Sequence, residues 1–244
     1  MTCDACKTGF RWDGTPVGSE TTLAGNQTYV TGTSTSAAIL IVHDVFGWTL
    51  PNARLLADHY AQEANATVYL PDFFGGEIVS PEVMDDPEKR AAFDIPAFIA
   101  RNTKEQRFPE ILACARALKD AYPKVGAIGF CYGGWAVFQL AAHGTELLSC
   151  ISTAHPTFLS EAEIAACRTP AQILAPEHDQ YLTPELKEYC NRVIPSLGVP
   201  YEYVYFPGMS HGFATRANLN NELQKAELAR AKRAAVHWFN EWLR

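Results

Sequence analysis

The sequence has no apolar run approaching the roughly 20 residues that cross a bilayer. Residues 1–10 also lack the apolar core of a secretory signal. The net charge of −7 lacks the positive excess with which proteins bind nucleic acid or anionic lipid. We therefore expect a cytoplasmic protein that has neither a membrane nor a nucleic acid as its partner.

The seven cysteines do not suggest a disulfide framework, because their number is odd and they are scattered along the chain. Cys3 and Cys6 make a Cys-x-x-Cys pair, but it lacks the flanking strand and helix of a redox motif and the second cysteine pair of a zinc site. We expect free thiols, and the role of this pair stays open. The sequence also lacks repeats, low-complexity tracts and linkers, so residues 1–244 are predicted to form a single domain.

What the sequence does contain is an alternation of short apolar runs with helical patterns, in a chain that is 48% hydrophobic. Strands are predicted at 37–42, 67–73, 125–129, 147–153, 171–175 and 201–206. Helices are predicted at 51–64, 108–121, 135–140, 184–194 and 222–243. The remaining long stretches are 1–36, an edge hairpin or extended lead-in, and 77–104, loops and short helices. This alternation predicts an α/β fold with a mostly parallel sheet and helices on both faces.

The most informative stretch is 125–140, which has the pattern of a strand, a one-residue corner and a helix. The spacing Gly129-x-Cys131-x-Gly133 is that of a nucleophile elbow with cysteine at the corner. The two glycines let the strand and the helix pass closely, and the start of a helix favours a thiolate. The alternative is a glycine-rich turn with an inert, buried cysteine.

A cysteine nucleophile needs a base, and the base needs an acceptor that orients it. Asp179 follows one late strand and His211 follows the last one. The order nucleophile, acid, histidine is that of α/β-hydrolases. The alternatives are a turn or cap role for Asp179, with Glu177 as the acid, and a structural role for His211.

The segments around these residues resemble those of the dienelactone hydrolases. The resemblance lies in GFCYGG around Cys131, HDQ around Asp179, SHGFATR around His211 and HDVFG at 43–47. Together with the N-terminal Cys-x-x-Cys, the loop HDVFGW is more similar to the fungal branch of the family. The resemblance covers about residues 25–244 and implies an α/β-hydrolase fold.

For the site, the resemblance implies Cys131 as nucleophile, His211 as base and Asp179 as the residue that orients it. It also implies an oxyanion hole made by the backbone N–H groups of Tyr132 and Val45. No metal or organic cofactor is implied.

Two further roles rest on the resemblance alone. Asp44 stands where the family has a longer carboxylate that acts on the thiol, and we expect it to keep Cys131 protonated at rest. An anionic substrate that engages Arg216 would free Asp44 from that arginine and let it draw the proton from the thiol. The alternative is that Asp44 caps the following turn and Arg216 lies in solvent. Arg216 corresponds to an arginine that holds the substrate's carboxylate, although Thr215 shifts it by one position. A second anchor would come from 85–105, where both Arg90 and Arg101 are candidates.

The resemblance implies a hydrolase that opens a lactone or cleaves an activated ester through an acyl-cysteine intermediate. We expect a small-molecule substrate and a monomer or homodimer. An apolar pocket is predicted from six aromatic residues that could equally be core: Phe46, Trp48, Phe73, Tyr132, Trp135 and Phe213. The alternatives are acyl transfer or isomerisation on the same thiol, and a catalytically silent member of the fold that binds a small molecule.

Overall fold

The computed structural model describes residues 4–244. Its strands are, in chain order, β1 Ser19–Leu23, β2 Asn26–Thr31, β3 Ala37–Val42, β4 Thr67–Pro71, β5 Lys124–Phe130, β6 Cys150–Ala154, β7 Ala171–His178 and β8 Tyr201–Ser210. They form one eight-stranded sheet in the order β1-β2-β4-β3-β5-β6-β7-β8. Strands β3 to β8 are parallel, whereas the hairpin β1-β2 is antiparallel and pairs with β4 at one edge. The prediction of a mostly parallel sheet is confirmed.

The helices cover both faces of this sheet. They are α1 Asp4–Lys7, α2 Pro51–Glu63, α3 Glu82–Asp85, α4 Pro87–Ala92, α5 Ile95–Arg101, α6 Lys104–Ala121, α7 Gly133–Ala141, α8 Glu161–Ala165, α9 Pro184–Ser196, α10 Phe213–Arg216 and α11 Glu222–Trp242. Helices α2 and α11 pack together against the sheet, and α6 and α7 form another such pair. Within residues 4–244, none of these helices is long and apolar enough to cross a membrane.

The order of the strands decides where a site can form. Because the parallel strands β3, β5, β6, β7 and β8 are consecutive neighbours, their carboxyl ends lie along the same edge of the sheet. Strand β3 is buried along its whole length, as its unbroken apolar sequence predicts. The segments that follow these strands are therefore brought together, although they are far apart in sequence.

Several boundaries differ from the predicted ones. Strands β7 and β8 run on to His178 and Ser210, because their pairing continues past an irregularity after Pro176. Helix α6 begins at Lys104, where Thr103 forms a capping box that adds four polar residues to the predicted helix. Strand β6 begins later than predicted, at Cys150, because the preceding residues form a turn and an irregular stretch.

Residues 4–12 form the N-terminal segment, which lies over the carboxyl edge of the sheet. Asn52, at the start of α2, accepts a hydrogen bond from the backbone N–H of Trp12 at 2.9 Å and donates one to the carbonyl of Phe10 at 2.8 Å. The backbone N–H of Phe10 donates to the carbonyl of Arg216 at 3.2 Å. This segment is therefore fastened to two elements that begin or end beside the site.

Residues 77–104 also lie over this edge of the sheet and are called the second cover, the N-terminal segment being the first. They contain α3, α4 and α5, in agreement with the short helices predicted there. Caps explain two of them: Asp86 accepts from the amides of α4, and Asp94 accepts from that of Ala97 in α5. The ammonium of Lys7 donates to the carbonyl of Arg90 at 3.0 Å. This bond joins the second cover to the N-terminal segment.

Candidate active site

Cys131 occupies the corner between β5 and α7. Its backbone has φ +50°, a left-handed conformation that is strained for any residue with a side chain. A Cβ at Gly129 would lie 2.2 Å from the carbonyl oxygen of Gly133, and one at Gly133 would lie 2.0 Å from that of Val42. The corner therefore requires glycine at both positions. This steric requirement explains the Gly-x-Cys-x-Gly spacing found in the sequence.

Asp179 and His211 come directly after the neighbouring strands β7 and β8. One carboxylate oxygen of Asp179 accepts the backbone N–H groups of Tyr181 and Leu182, at 2.8 and 3.2 Å. The other oxygen accepts the Nδ1–H of His211 at 2.8 Å, and both side chains are almost completely buried. The loop after β7 thus fixes the carboxylate of Asp179, and the carboxylate fixes the imidazole of His211. Because Nδ1 makes this bond, Nε2 is the nitrogen available to Cys131.

The charges around Cys131 and His211 shift the pKa values of both side chains. Burial alone raises the pKa of Cys131, but a hydrogen bond from Cys6 and the charges of His211 and Arg216 lower it to about 5. Burial lowers the pKa of His211, but the thiolate and the hydrogen bond to Asp179 raise it to about 10. The contacts therefore favour a thiolate at Cys131 beside an imidazolium at His211.

Asp44 lies at the end of β3 and pairs with Arg216, not with the thiol. One oxygen of its carboxylate accepts the backbone N–H of Phe46 at 2.9 Å. The other accepts the hydroxyl of Thr215 at 3.1 Å and the guanidinium of Arg216. The side chains of this ion pair are 3% and 1% exposed, so neither charge faces bulk solvent.

This pairing bears on two expectations. We expected Arg216 to hold Asp44 until an anionic substrate engages the arginine, and the two side chains do form an ion pair. We also expected Asp44 to keep Cys131 protonated at rest, whereas the charge of Arg216 acts in the opposite direction and lowers the pKa of Cys131. The Nε of Arg216 also donates to the carbonyl of Thr8 at 3.1 Å, which ties the ion pair to the N-terminal segment. A role of Asp44 or Arg216 toward substrate stays a prediction.

The two covers close over the thiol. Cys131 is completely buried, and Cys6 and Ile95 form a small apolar cluster with it. The sulfur of Cys6 lies 4.0 Å from that of Cys131. Among residues 4–244, the atoms of Cys6, Cys131 and His211 also make up a group of metal-type ligands within 4.8 Å of one another.

Sequence reasoning missed Cys6 as a part of this site. The signal was the Cys-x-x-Cys pair, but only the fold shows which strand end it approaches. Cys3, the other member of the pair, lies outside the described residues.

His155 was also missed. It follows β6 directly with φ +41°, and its ring centre lies 4.9 Å from that of His211. Burial lowers the pKa of His155 well below its usual value, and the charges of His211 and Arg216 lower it further. The ring of His155 is therefore favoured in its neutral form where it packs against His211. The signal was its position at the carboxyl end of a predicted strand.

His43, next to Asp44, has a structural role. Its Nδ1–H donates to the carbonyl of Asp44 at 2.8 Å, and its Nε2 accepts the backbone N–H of Phe73 at 3.1 Å. Burial lowers its pKa, which agrees with a neutral ring that uses both nitrogens. The ring therefore joins the ends of β3 and β4 and keeps the Asp44 loop in place.

Val45 and Tyr132, the predicted oxyanion donors, lie on either side of the elbow. Val45 follows β3, and Tyr132 is the N-terminal cap residue of α7, which follows β5. The two strands are paired in register up to Val42 and Gly129. Both backbone amides therefore lie at the same edge of the sheet as the sulfur.

Two cavities border the group. One of about 500 Å³ is lined mainly by apolar side chains of α5 and of the loops after β6 and β7, including Ile95, Ile99, Phe158 and Tyr181. The ring centre of Tyr181 lies 5.7 Å from that of His211. The other, of about 190 Å³, is lined by His211 and by residues of the N-terminal segment and α10. The larger cavity has the apolar walls expected of a substrate pocket.

The structure corrects the predicted pocket. Five of the six aromatic residues are buried in the main hydrophobic core and line neither cavity, namely Phe46, Trp48, Phe73, Tyr132 and Trp135. Phe213 lines the smaller one. An aromatic ring gains free energy from full burial wherever it finds it, so its apolar character does not distinguish core from pocket.

Neither candidate for a second anchor reaches the cavities. The guanidinium of Arg90 donates to the carbonyls of Val83 and Met84. That of Arg101 pairs with Glu77 at 2.6 Å. Both arginines instead hold the second cover together.

Comparisons with known proteins show which family the chain is similar to. Residues 27–243 match the model of the dienelactone hydrolase family. The chain is 29% identical to hydrolase tropI of Talaromyces stipitatus and to the carboxymethylenebutenolidase homolog of Homo sapiens, in each case over 98% of this chain and 96% of the relative. The structure of a dienelactone hydrolase from Anabaena variabilis covers 93% of this chain and 98% of its own, with TM-score 0.64 and 17% identity. That last likeness concerns the fold.

Proposed function

The chain belongs to the dienelactone hydrolase family, and from that premise we propose that it hydrolyses a lactone or an activated ester through an acyl-cysteine intermediate. Membership supports a hydrolase of lactones or esters. The observation that carries the finer proposal is the alignment of Asp179, His211 and Cys131 at three strand ends, with a buried Asp179–His211 hydrogen bond of 2.8 Å.

The proposed reaction begins with the thiolate of Cys131, which attacks the carbonyl carbon of the substrate. The imidazolium of His211 then gives its proton to the leaving alkoxide as the carbon–oxygen bond breaks. A water molecule attacks the acyl-cysteine while His211 takes its proton as a base, and Cys131 leaves as the thiolate. Asp179 holds the tautomer and stabilises the imidazolium in both half-reactions.

The tetrahedral intermediates carry negative charge on oxygen. We assign their stabilisation to the backbone N–H groups of Tyr132 and Val45, whose positions beside the sulfur fit an oxyanion hole. The start of α7 lies next to the same point, and its dipole favours the same charge.

Substrate selection is proposed for the larger cavity. Its apolar walls favour an ester or lactone with a hydrophobic acyl or leaving group. Anionic substrates would have to compete with Asp44 for Arg216, because that guanidinium is already paired. The nucleophile must be a free thiol, which fits a reducing, cytoplasmic setting.

The test is a panel of lactones and aryl esters, neutral and anionic, assayed for product and for a covalent adduct by mass spectrometry. We expect turnover, with an acyl mass on the peptide that contains Cys131. Transfer of the acyl group to an added alcohol or amine without hydrolysis would favour acyl transfer. Failure of every ester to acylate Cys131 would favour a silent binding protein.

A further inference from the structure

The three ligand-type atoms of Cys6, Cys131 and His211 converge in the interior of the protein. They lie within 4.8 Å of one another, and the three residues are 3%, 0% and 7% exposed. Two sulfurs and one imidazole nitrogen are the donor set that Zn²⁺ and similar thiophilic ions prefer. This set brings a residue of the N-terminal segment together with two strand ends of the sheet.

The spacing of the two sulfurs fits such an ion. With zinc–sulfur bonds of about 2.3 Å and a tetrahedral angle, two thiolates lie about 3.8 Å apart. The sulfurs of Cys6 and Cys131 lie 4.0 Å apart. A shift of a few tenths of an ångström would therefore complete this edge of a tetrahedron.

The third ligand is already oriented as it is in zinc proteins. Metal-binding histidines donate their second ring N–H to a carboxylate, which fixes the ring and raises its basicity. His211 makes this bond from Nδ1 to Asp179 at 2.8 Å. Its Nε2 is buried and has no hydrogen-bond partner of ordinary geometry within residues 4–244. That nitrogen is aimed into the cluster.

Charge balance favours a divalent ion. Two thiolates and one neutral imidazole cancel a 2+ charge, so the ion and its three ligands would carry no net charge. The adjacent ion pair of Asp44 and Arg216 adds none. The carboxylate of Asp179, outside this set, keeps its hydrogen bond from His211. One of the three ligand residues, His211, lines the smaller cavity.

We propose that Cys6, Cys131 and His211 form a binding site for a thiophilic divalent cation such as Zn²⁺, with the fourth position open to water. The ion would occupy the thiol and the imidazole that the proposed reaction uses, so the site is inhibitory and is not a cofactor site. Because metal binding is measured without substrate, this inference stands or falls separately from the reaction.

The test uses Co²⁺ as a spectroscopic probe on the full chain, made metal-free and kept reduced with a phosphine. The wild type is compared with Cys6→Ala and with Cys190→Ala, which removes a buried thiol of α9 and serves as the matched control. We expect one Co²⁺ per chain, with thiolate-to-cobalt charge-transfer absorption, in the wild type and in Cys190→Ala. In Cys6→Ala the affinity should fall at least about tenfold, because one of the three protein ligands is lost.

A second measurement keeps the result independent of the spectrum. Stoichiometric Zn²⁺ should protect Cys131 from alkylation in the wild type and in Cys190→Ala, and much less in Cys6→Ala. Equal affinity and protection in all three proteins would overturn the proposal. Co²⁺ absorption without a charge-transfer band would overturn it too, because the ion would then be held by surface histidines or carboxylates.

Discussion

Cys131 and Cys150 are both completely buried, and they lie at opposite ends of two neighbouring parallel strands, β5 and β6. Cys150 begins β6, at the amino edge of the sheet, whereas Cys131 follows β5, at the carboxyl edge. Burial raises the pKa of Cys150, and the charge of Lys124, which acts in the opposite direction, does not outweigh the burial. At Cys131, hydrogen bonds and positive charges overcome the same burial and lower the pKa to about 5.

The other core thiols behave like Cys150. Burial raises the pKa of Cys114 and of Cys190 to about 12, and it also raises that of Cys167. The difference lies in what surrounds each sulfur and not in the depth of burial. At the edge where strands end, several charged side chains meet around the thiol of Cys131 and together outweigh its burial.

The largest expected effect comes from removing the elbow thiol. Cys131→Ala should lower kcat by a factor on the order of 10⁴ or more, because the nucleophile of the proposed reaction is lost. Cys150→Ala, the matched deletion at the other end of the sheet, should leave kcat within about threefold, because the chemistry does not involve that sulfur. Steady-state kinetics on an ester that the wild type hydrolyses checks both.

Circular dichroism is the control for folding in the two variants. If Cys131→Ala keeps even a tenth of the wild-type rate, the cysteine mechanism is wrong.

The second comparison is between the carboxylates of Asp179, which bonds to His211, and Glu177, which does not. His211→Ala should remove nearly all activity, and Asp179→Asn should cost less, up to about 10⁴-fold, because the base remains but its tautomer is no longer held. Glu177 is the matched control, since its exposed carboxylate accepts the backbone N–H of Gly208 and not His211. Glu177→Gln should keep near-normal kcat/KM.

Equal rates for Asp179→Asn and wild type would remove Asp179 from the site. A large loss in Glu177→Gln alone would point to Glu177 as the acid instead.

The third prediction concerns the pH at which each thiol reacts. A lowered pKa means that the thiolate of Cys131 is present above about pH 5, so its alkylation rate should be nearly flat from pH 6 to 8. The rate at Cys150 should stay negligible there, because burial holds its pKa above the usual value. In His211→Ala the profile of Cys131 should shift to higher pH, since the imidazolium charge is lost.

Alkylation by iodoacetamide, followed peptide by peptide with mass spectrometry, measures these rates. Similar labelling of Cys131 and Cys150 at pH 6 would contradict the charge argument.

The smallest expected effect on catalysis belongs to the ion pair of Asp44 and Arg216. Arg216→Ala leaves a buried carboxylate unpaired and should destabilise the fold by about 3–5 kcal/mol, measured by urea unfolding. On substrates that carry a carboxylate it should raise KM by about tenfold while sparing neutral esters. Asp44→Asn should lower turnover modestly and alter the pH profile of alkylation.

The double variant of Asp44 and Arg216 separates pairing from substrate binding. It should recover part of the lost stability but not the KM for anionic substrates. Unchanged kinetics in both single variants, on neutral and anionic esters alike, would reduce this pair to a structural role.

The fold and the central residues could be predicted because both depend on local patterns. An unbroken apolar run marks β3, and the glycines on either side of Cys131 mark a corner that no other residue type fits there. Asp179 and His211 were predictable because each directly follows a strand, and parallel strands bring their ends to one edge.

The rest of the site depends on long-range packing that no local pattern carries. Cys6 is 125 positions away from Cys131, and its approach is decided by hydrogen bonds from Asn52 and Arg216 to the segment that carries it. The prediction of pocket residues was wrong for a different reason. Aromatic side chains such as Trp48 and Phe73 pack as well in the core as they would in a pocket, so residue type alone does not separate the two.

The way in which the N-terminal segment passes over Arg216 has an evolutionary consequence. A Cβ at Gly9 would lie 2.5 Å from that of Arg216, so the crossing point is closely confined. The family match begins only at residue 27, so residues 4–12 lie outside the matched region although Cys6 among them approaches the sulfur of Cys131. Substitutions in this short stretch would reshape the wall above the sulfur without altering any strand end, so the wall and the chemistry beneath it can evolve separately.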